Sequence, residues 1–108
     1  MTLVFRAVKH NPPEREDFQS AWDQGRRPPR LTSPSQIRTY TSVSTFESLA
    51  LARAKAEALD LGQYIVALEL PDSVKRNTKP NGHVDLEGTT PEELLGMVTR
   101  VHPLAEGE

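Results

Sequence analysis

Apolar residues fall in short runs along this chain, and polar or proline-rich stretches separate them. The clearest pattern lies between Tyr40 and Pro71, YTSVSTFESLALARAKAEALDLGQYIVALELP. Its period predicts a short strand, a helix over residues 45–61 and a second strand over residues 63–70. Ser44 is positioned to N-cap the helix, and Glu47 three residues later completes the spacing of a capping box. The alanines and leucines that follow are strong helix formers. Leu49, Ala56 and Leu59 mark the face turned to a sheet, and Gly62 stands where a helix takes its left-handed C-terminal residue. Tyr64, Val66, Leu68 and Leu70 then alternate with Ile65, Ala67 and Glu69, which predicts a strand buried on both faces for most of its length. Pro71 ends it.

The remaining pattern extends this unit on both sides. Residues 2–8, TLVFRAV, predict a first strand with Arg6 near its centre. Arg6 has two readings. Its stem packs while its head reaches water at a sheet edge, or a rigid strand holds it as an anion-binding group. His10-Asn11-Pro12-Pro13 predicts a turn and then a helix ending near Gln24 and Gly25. Glu14, Glu16 and Asp17 complement the helix dipole at its start. Phe18, Ala21 and Trp22 form its apolar face, with Trp22 as a core anchor. Residues 26–38, RRPPRLTSPSQIR, predict an irregular segment whose four arginines form a solvated loop or meet a phosphate. Residues 72–82 predict a polar connection with a turn at Asn81-Gly82.

His83 to Glu87 predicts a strand with Val84 and Leu86 facing inward. His83, Asp85 and Glu87 share the other face, which is either solvated or lines a cleft. Thr90-Pro91-Glu92-Glu93 carries the signature of a capped short helix. Residues 97–104 predict a last strand, and residues 105–108 a frayed tail. These elements describe one α+β (mixed α/β) domain over residues 1–104. It has about five strands, two main helices and one short helix.

Composition narrows the function classes. A chain of 108 residues supports one domain. Its net charge of −2 gives no overall attraction to nucleic acid, so nucleic acid is not an expected partner. Without cysteine there are no disulfides or thiolate metal sites. No run approaches the ~18 apolar residues of a membrane span, and the first ten residues do not form a signal peptide. A cytoplasmic protein is expected. His10, His83 and His102 lack ligand spacing, so no metal is expected. No glycine-rich phosphate loop or serine nucleophile elbow is present. Thr41 and Ser42 are hydroxyls able to bond a neighbouring strand or a ligand.

Four strings, LVFRAVKHNPP, YTSVSTFESLALARAKA, GQYIVALELP and GHVDLEG with TTPEELLGMVTRVHPL, span nearly the whole chain. Together they resemble a group of small uncharacterised bacterial proteins that are similar to minimal ADP-ribosyltransferase domains. The resemblance implies a split sheet and NAD as co-substrate, with ADP-ribose passing to an unknown protein target. It implies that Arg6 holds the dinucleotide phosphates, as the first-strand arginine of the arginine-serine-glutamate class does. Thr41 and Ser42 stand where the family's hydroxyl strand supports the nicotinamide pocket, although its serine-threonine-serine string is not intact here. The late glutamate that stabilises an oxocarbenium-like transition state matches Glu87, since capping explains Glu93 and partly Glu92. A non-catalytic, protein-binding or regulatory module of the same fold is the alternative.

Overall fold

The computed structural model describes residues 2–20 and 42–104. The strands are β1 (Thr2–Val8), β2 (Val43–Phe46), β3 (Tyr64–Leu70), β4 (Lys75–Thr78), β5 (His83–Glu87) and β6 (Val98–Pro103). Two α-helices, α1 (Leu49–Leu59) and α2 (Pro91–Leu95), and one 3-10 turn (Arg15–Phe18) complete the described elements. All six strands join one antiparallel sheet in the order β4-β5-β2-β1-β3-β6. The architecture is α+β in one compact domain, with six strands among the described residues where the hydrophobic pattern predicts about five. None of the described helices is long and apolar enough to cross a membrane.

Side-chain alternation gives the sheet two apolar faces. On one, Val4, Val66, Leu68 and Leu86 pack with Phe18 of the 3-10 turn and Leu94 of α2. On the other, Phe46 and Ile65 pack under Ala52 and Ala56 of α1. Each fully buried large side chain contributes about 1.5–3 kcal/mol. Arg15 Nε donates to Glu92 Oε2, which ties the 3-10 turn to α2 across an exposed gap.

The β1 register is the feature that positions the candidate site. Every β1 residue pairs with β3, from Thr2↔Leu70 to Val8↔Tyr64. On its other side β1 pairs with β2 at Phe5↔Phe46 alone. Beyond Phe5 the two strands carry no further pair, so the sheet opens along Arg6, Ala7 and Val8. Gly62 packs against the end of β1 on its β3 side. Its φ is +158°, and a Cβ there would lie 2.3 Å from the Val8 carbonyl oxygen, so no side chain fits.

Several elements differ from the pattern-based expectation. The α1 cap is Ser48, whose side chain accepts from Leu51 N at 3.1 Å. Ser44 lies instead in β2, and the helix starts at Leu49. Asp60, not Gly62, takes the left-handed position after α1 at φ 53°. Leu59 does not face the sheet and is 61% exposed. The helix expected after Pro13 is a single 3-10 turn over the described residues, and Ala21 and Trp22 lie outside them. The 26–38 segment and the tail at 105–108 also lie outside. Residues 75–78, expected as connection, form β4, which pairs with β5 from Lys75↔Glu87 to Thr78↔Val84. The Asn81-Gly82 turn stands: Lys79 N donates to His83 O at 2.8 Å and Gly82 has φ +87°. The α2 capping box stands as well, with Glu93 N to Thr90 Oγ1 at 3.2 Å and Thr90 N to Glu93 Oε1 at 2.8 Å.

The cap assignment is directly testable. Ser48→Ala should destabilise the domain by about 1 kcal/mol, the usual worth of an N-cap. The melting temperature should fall by roughly 4–8 °C for a domain of this size. Ser44→Ala, at an exposed strand position, should stay within ~0.5 kcal/mol of wild type. If Ser44→Ala proved the costlier substitution, Ser48 would not be the cap.

Candidate functional site

Arg6 sits on the Val4–Val8 face of β1, where an unpaired cation would be costly. The opening of the sheet supplies its partners. Arg6 Nε donates to the Asp17 carbonyl at 2.8 Å, and Nη1 donates to the Ser44 carbonyl at 2.7 Å. Arg6 is therefore no edge residue. It stands in an inner strand and bridges β2 to the 3-10 turn across the gap left by the missing β1–β2 pairs. Burial lowers its pKa to about 10, opposed by the charge of Asp17, so it stays protonated at neutral pH. Two of its five N–H groups are spent on carbonyls, and Nη2 has no partner among the described residues.

Asp17 organises the adjoining wall. Only 7% of the residue is exposed. Oδ1 accepts from Lys9 N at 2.9 Å, and Oδ2 accepts from Glu14 N at 2.8 Å and lies 3.0 Å from His10 Nδ1. The hydrogen bond to Asp17 raises the His10 pKa above the ordinary imidazole value. Desolvation opposes this, and the charges of Asp17, Glu14 and Glu16 add to it. One aspartate thus holds Arg6 by its backbone and His10 by its carboxylate.

These groups line a cleft of about 800 Å3, a volume within the usual range for small-molecule sites. Arg6, His10, Ser42, Ser44 and His83 all contribute to its wall. His83 enters from β5, packs on Phe46 with ring centroids 5.2 Å apart, and brings Nε2 within 2.8 Å of Asp85 Oδ1. Asp85 Oδ2 also meets Lys79 Nζ at 3.2 Å. The polar face of β5 is thus partly a cleft wall rather than a uniformly solvated surface. Leu59 and Leu61, both exposed, line the cleft together with Lys55 and Asp60.

Of the residues expected from sequence, Arg6 and Ser42 come together in this cleft. Thr41 lies outside the described residues. Glu87 is half-buried at the end of β5, opposite Lys75, and is not among the described residues that line the cleft. His10 and Asp17 escaped the sequence reading as site residues, whereas His83 belongs to the β5 face whose pattern allows a cleft wall. Asp17 in particular reads as a helix-dipole complement, and its seven-residue distance from His10 signals nothing in a linear pattern.

Two outcomes follow from this geometry. Arg6→Lys keeps the charge but loses the planar fork. It should lower the ligand-free stability by about 1.5–3 kcal/mol, the worth of one charged hydrogen bond, as measured by denaturant melts. An unchanged melt would show that the two carbonyl contacts carry no stability. His10 should titrate above the ordinary imidazole value by NMR, and Asp17→Asn should bring it down. The sign follows from a raised folded-state pKa. The His10–Asp17 contribution is fully present below the unfolded imidazole value and is lost as pH rises through the folded one. A His10 titration unmoved by Asp17→Asn would reject the pairing.

Comparison with protein-family models, with curated proteins and with solved structures finds no match to this chain.

Proposed function

We propose that the open seam between β1 and β2 binds NAD and that the domain is ADP-ribosyltransferase-like, passing ADP-ribose to a protein target. The observation that carries this reading is the Arg6 guanidinium in the seam. It is desolvated, fixed by two backbone carbonyls, and has Nη2 donors left over. A desolvated cation held in place is a ready counter-charge for a phosphate, and the guanidinium fork suits its oxygens. Ser42, just before β2, lines the same cleft and gives a hydroxyl-bearing wall for the nicotinamide end, with Thr41 beside it in sequence. The sheet's opening beyond Phe5↔Phe46 is what a split-sheet nucleotide cleft requires.

In the transfer step the bond between nicotinamide and ribose breaks, and positive charge grows on the sugar. A fixed carboxylate stabilises that charge. Glu87 is the proposed carboxylate. The β2–β5 ladder ends at Val43↔Leu86, so Glu87 stands one step further on, at the level of Ser42.

A second reading is a non-catalytic binding module of the same fold. It is favoured by the position of Glu87 outside the described lining of the cleft.

Calorimetric titration with NAD, followed by assay of released nicotinamide, separates the two. Wild type should bind NAD in the micromolar range and release nicotinamide. Arg6→Lys, compared at a temperature where it is fully folded, should weaken binding by about 1.5–3 kcal/mol. Glu87→Gln should bind NAD as wild type does but lose nicotinamide release. Binding without release in wild type leaves the non-catalytic module. Absence of binding at millimolar NAD rejects the cleft as an NAD site.

A further inference from the structure

Asp17 links two cleft-lining side chains rather than one. Its carbonyl takes Arg6 Nε and its carboxylate takes His10 Nδ1, so one residue positions both the guanidinium and the imidazole. Both line the cleft. With Nδ1 turned to Asp17, the imidazole has Nε2 left. Glu14 Oε1 lies 3.9 Å from Nε2, beyond hydrogen-bond length. The Asp17 carboxylate is engaged by Lys9 N, Glu14 N and His10 together, so its charge is turned into the wall.

We propose that His10 is a second anion-binding group of the cleft, so that a diphosphate sits between Arg6 and His10 and its binding is coupled to uptake of a proton by His10. This extends the cleft reading above but requires a diphosphate only, not NAD. The chemistry is simple charge matching. A neutral imidazole offers an incoming phosphate no donor once its Nδ1 proton is committed to Asp17. A protonated imidazole offers Nε2–H and a positive charge. The carboxylates acting on the ring are Asp17 and Glu16 from the 3-10 turn and Glu14 from the preceding turn, and the other charged groups lining the cleft are Arg6, Lys9, Lys55 and Asp60. The three carboxylates favour the protonated ring in the free protein. An anion on the cleft side favours it further, and that difference is the proton taken up.

The test is calorimetric titration with inorganic pyrophosphate in two buffers of different ionisation enthalpy, repeated across a pH series above the ordinary imidazole value. Wild type should bind with proton uptake, and its affinity should fall by up to about tenfold per pH unit over the window where His10 loses its proton. His10→Gln should remove that uptake and flatten the pH dependence, and the difference from wild type excludes the titration of pyrophosphate itself. His10→Arg should restore affinity at high pH with no uptake from this position, a rescue that a purely structural role for His10 would not produce. Melting curves of both variants confirm that they are folded. Uptake that survives His10→Gln but disappears in His83→Gln assigns the coupling to the other wall and overturns the proposal. Pyrophosphate binding without uptake, or no pyrophosphate binding, overturns it as well. Pyrophosphate binding with His10-dependent uptake but no NAD binding would keep this subsite and reject the dinucleotide reading.

Discussion

The structure depends on how a cation is kept inside a sheet. Arg6 lies on the face of β1 that also carries Val4 and Val8, both buried. A closed β1–β2 ladder would bury its guanidinium without partners, at a cost of several kcal/mol. Here the strands part after Phe5↔Phe46, and the guanidinium itself donates to the Ser44 carbonyl that faces the gap. The opening and the arginine are therefore one solution. The Ser44 carbonyl beside the missing pairs and the Asp17 carbonyl of the 3-10 turn satisfy the cation, and the cation satisfies them.

The same arrangement bears on the proposed anion site, because the cleft wall also carries acids. Carbonyl oxygens satisfy donors but bring only partial charge. The nearest full negative charge, on Asp17, is shared among Lys9 N, Glu14 N and His10. Burial lowers the Arg6 pKa to about 10 and the Asp17 charge opposes this, so the guanidinium stays protonated in a desolvated place. A surface ion pair in its place would have left little electrostatic drive for a ligand.

Most of the fold was legible because its apolar periods are strong. β1, β3 and β5 fall where alternation places them, and the α2 box is written in Thr90, Pro91 and Glu93. The misreadings have distinct causes. Ser44 and Ser48 both precede the helix. Ser44 has the better box spacing, but Thr45, wholly buried with Oγ1 donating to Val84 O at 2.7 Å, commits that stretch to β2 and moves the cap to Ser48. β4 reads KRNT, with no apolar residue to signal a strand, and exists because the Asn81-Gly82 hairpin lays it along β5. At the site, Arg6 was recognisable as the odd charge in an apolar run. Asp17 was not, because its role arises only when the turn folds back onto β1.

On β5 the choice between carboxylates turns on what each already holds. Asp85 and Glu87 share a face, and Asp85 is the closer to His83 and the cleft. Yet Asp85 is 7% exposed, with Oδ1 at His83 Nε2 and Oδ2 at Lys79 Nζ. A carboxylate so placed is engaged at both oxygens, and reorienting it toward a sugar would break both contacts. Glu87 has no ion pair within the described residues and sits half-buried at the strand end, next to Gly88 at φ +72°. Its side chain can turn toward the level of Ser42 without breaking such a contact. Burial and pairing make Asp85 a structural anchor for His83 and Lys79, and this is why Glu87, though further from the cleft, is the acid that the proposed chemistry employs.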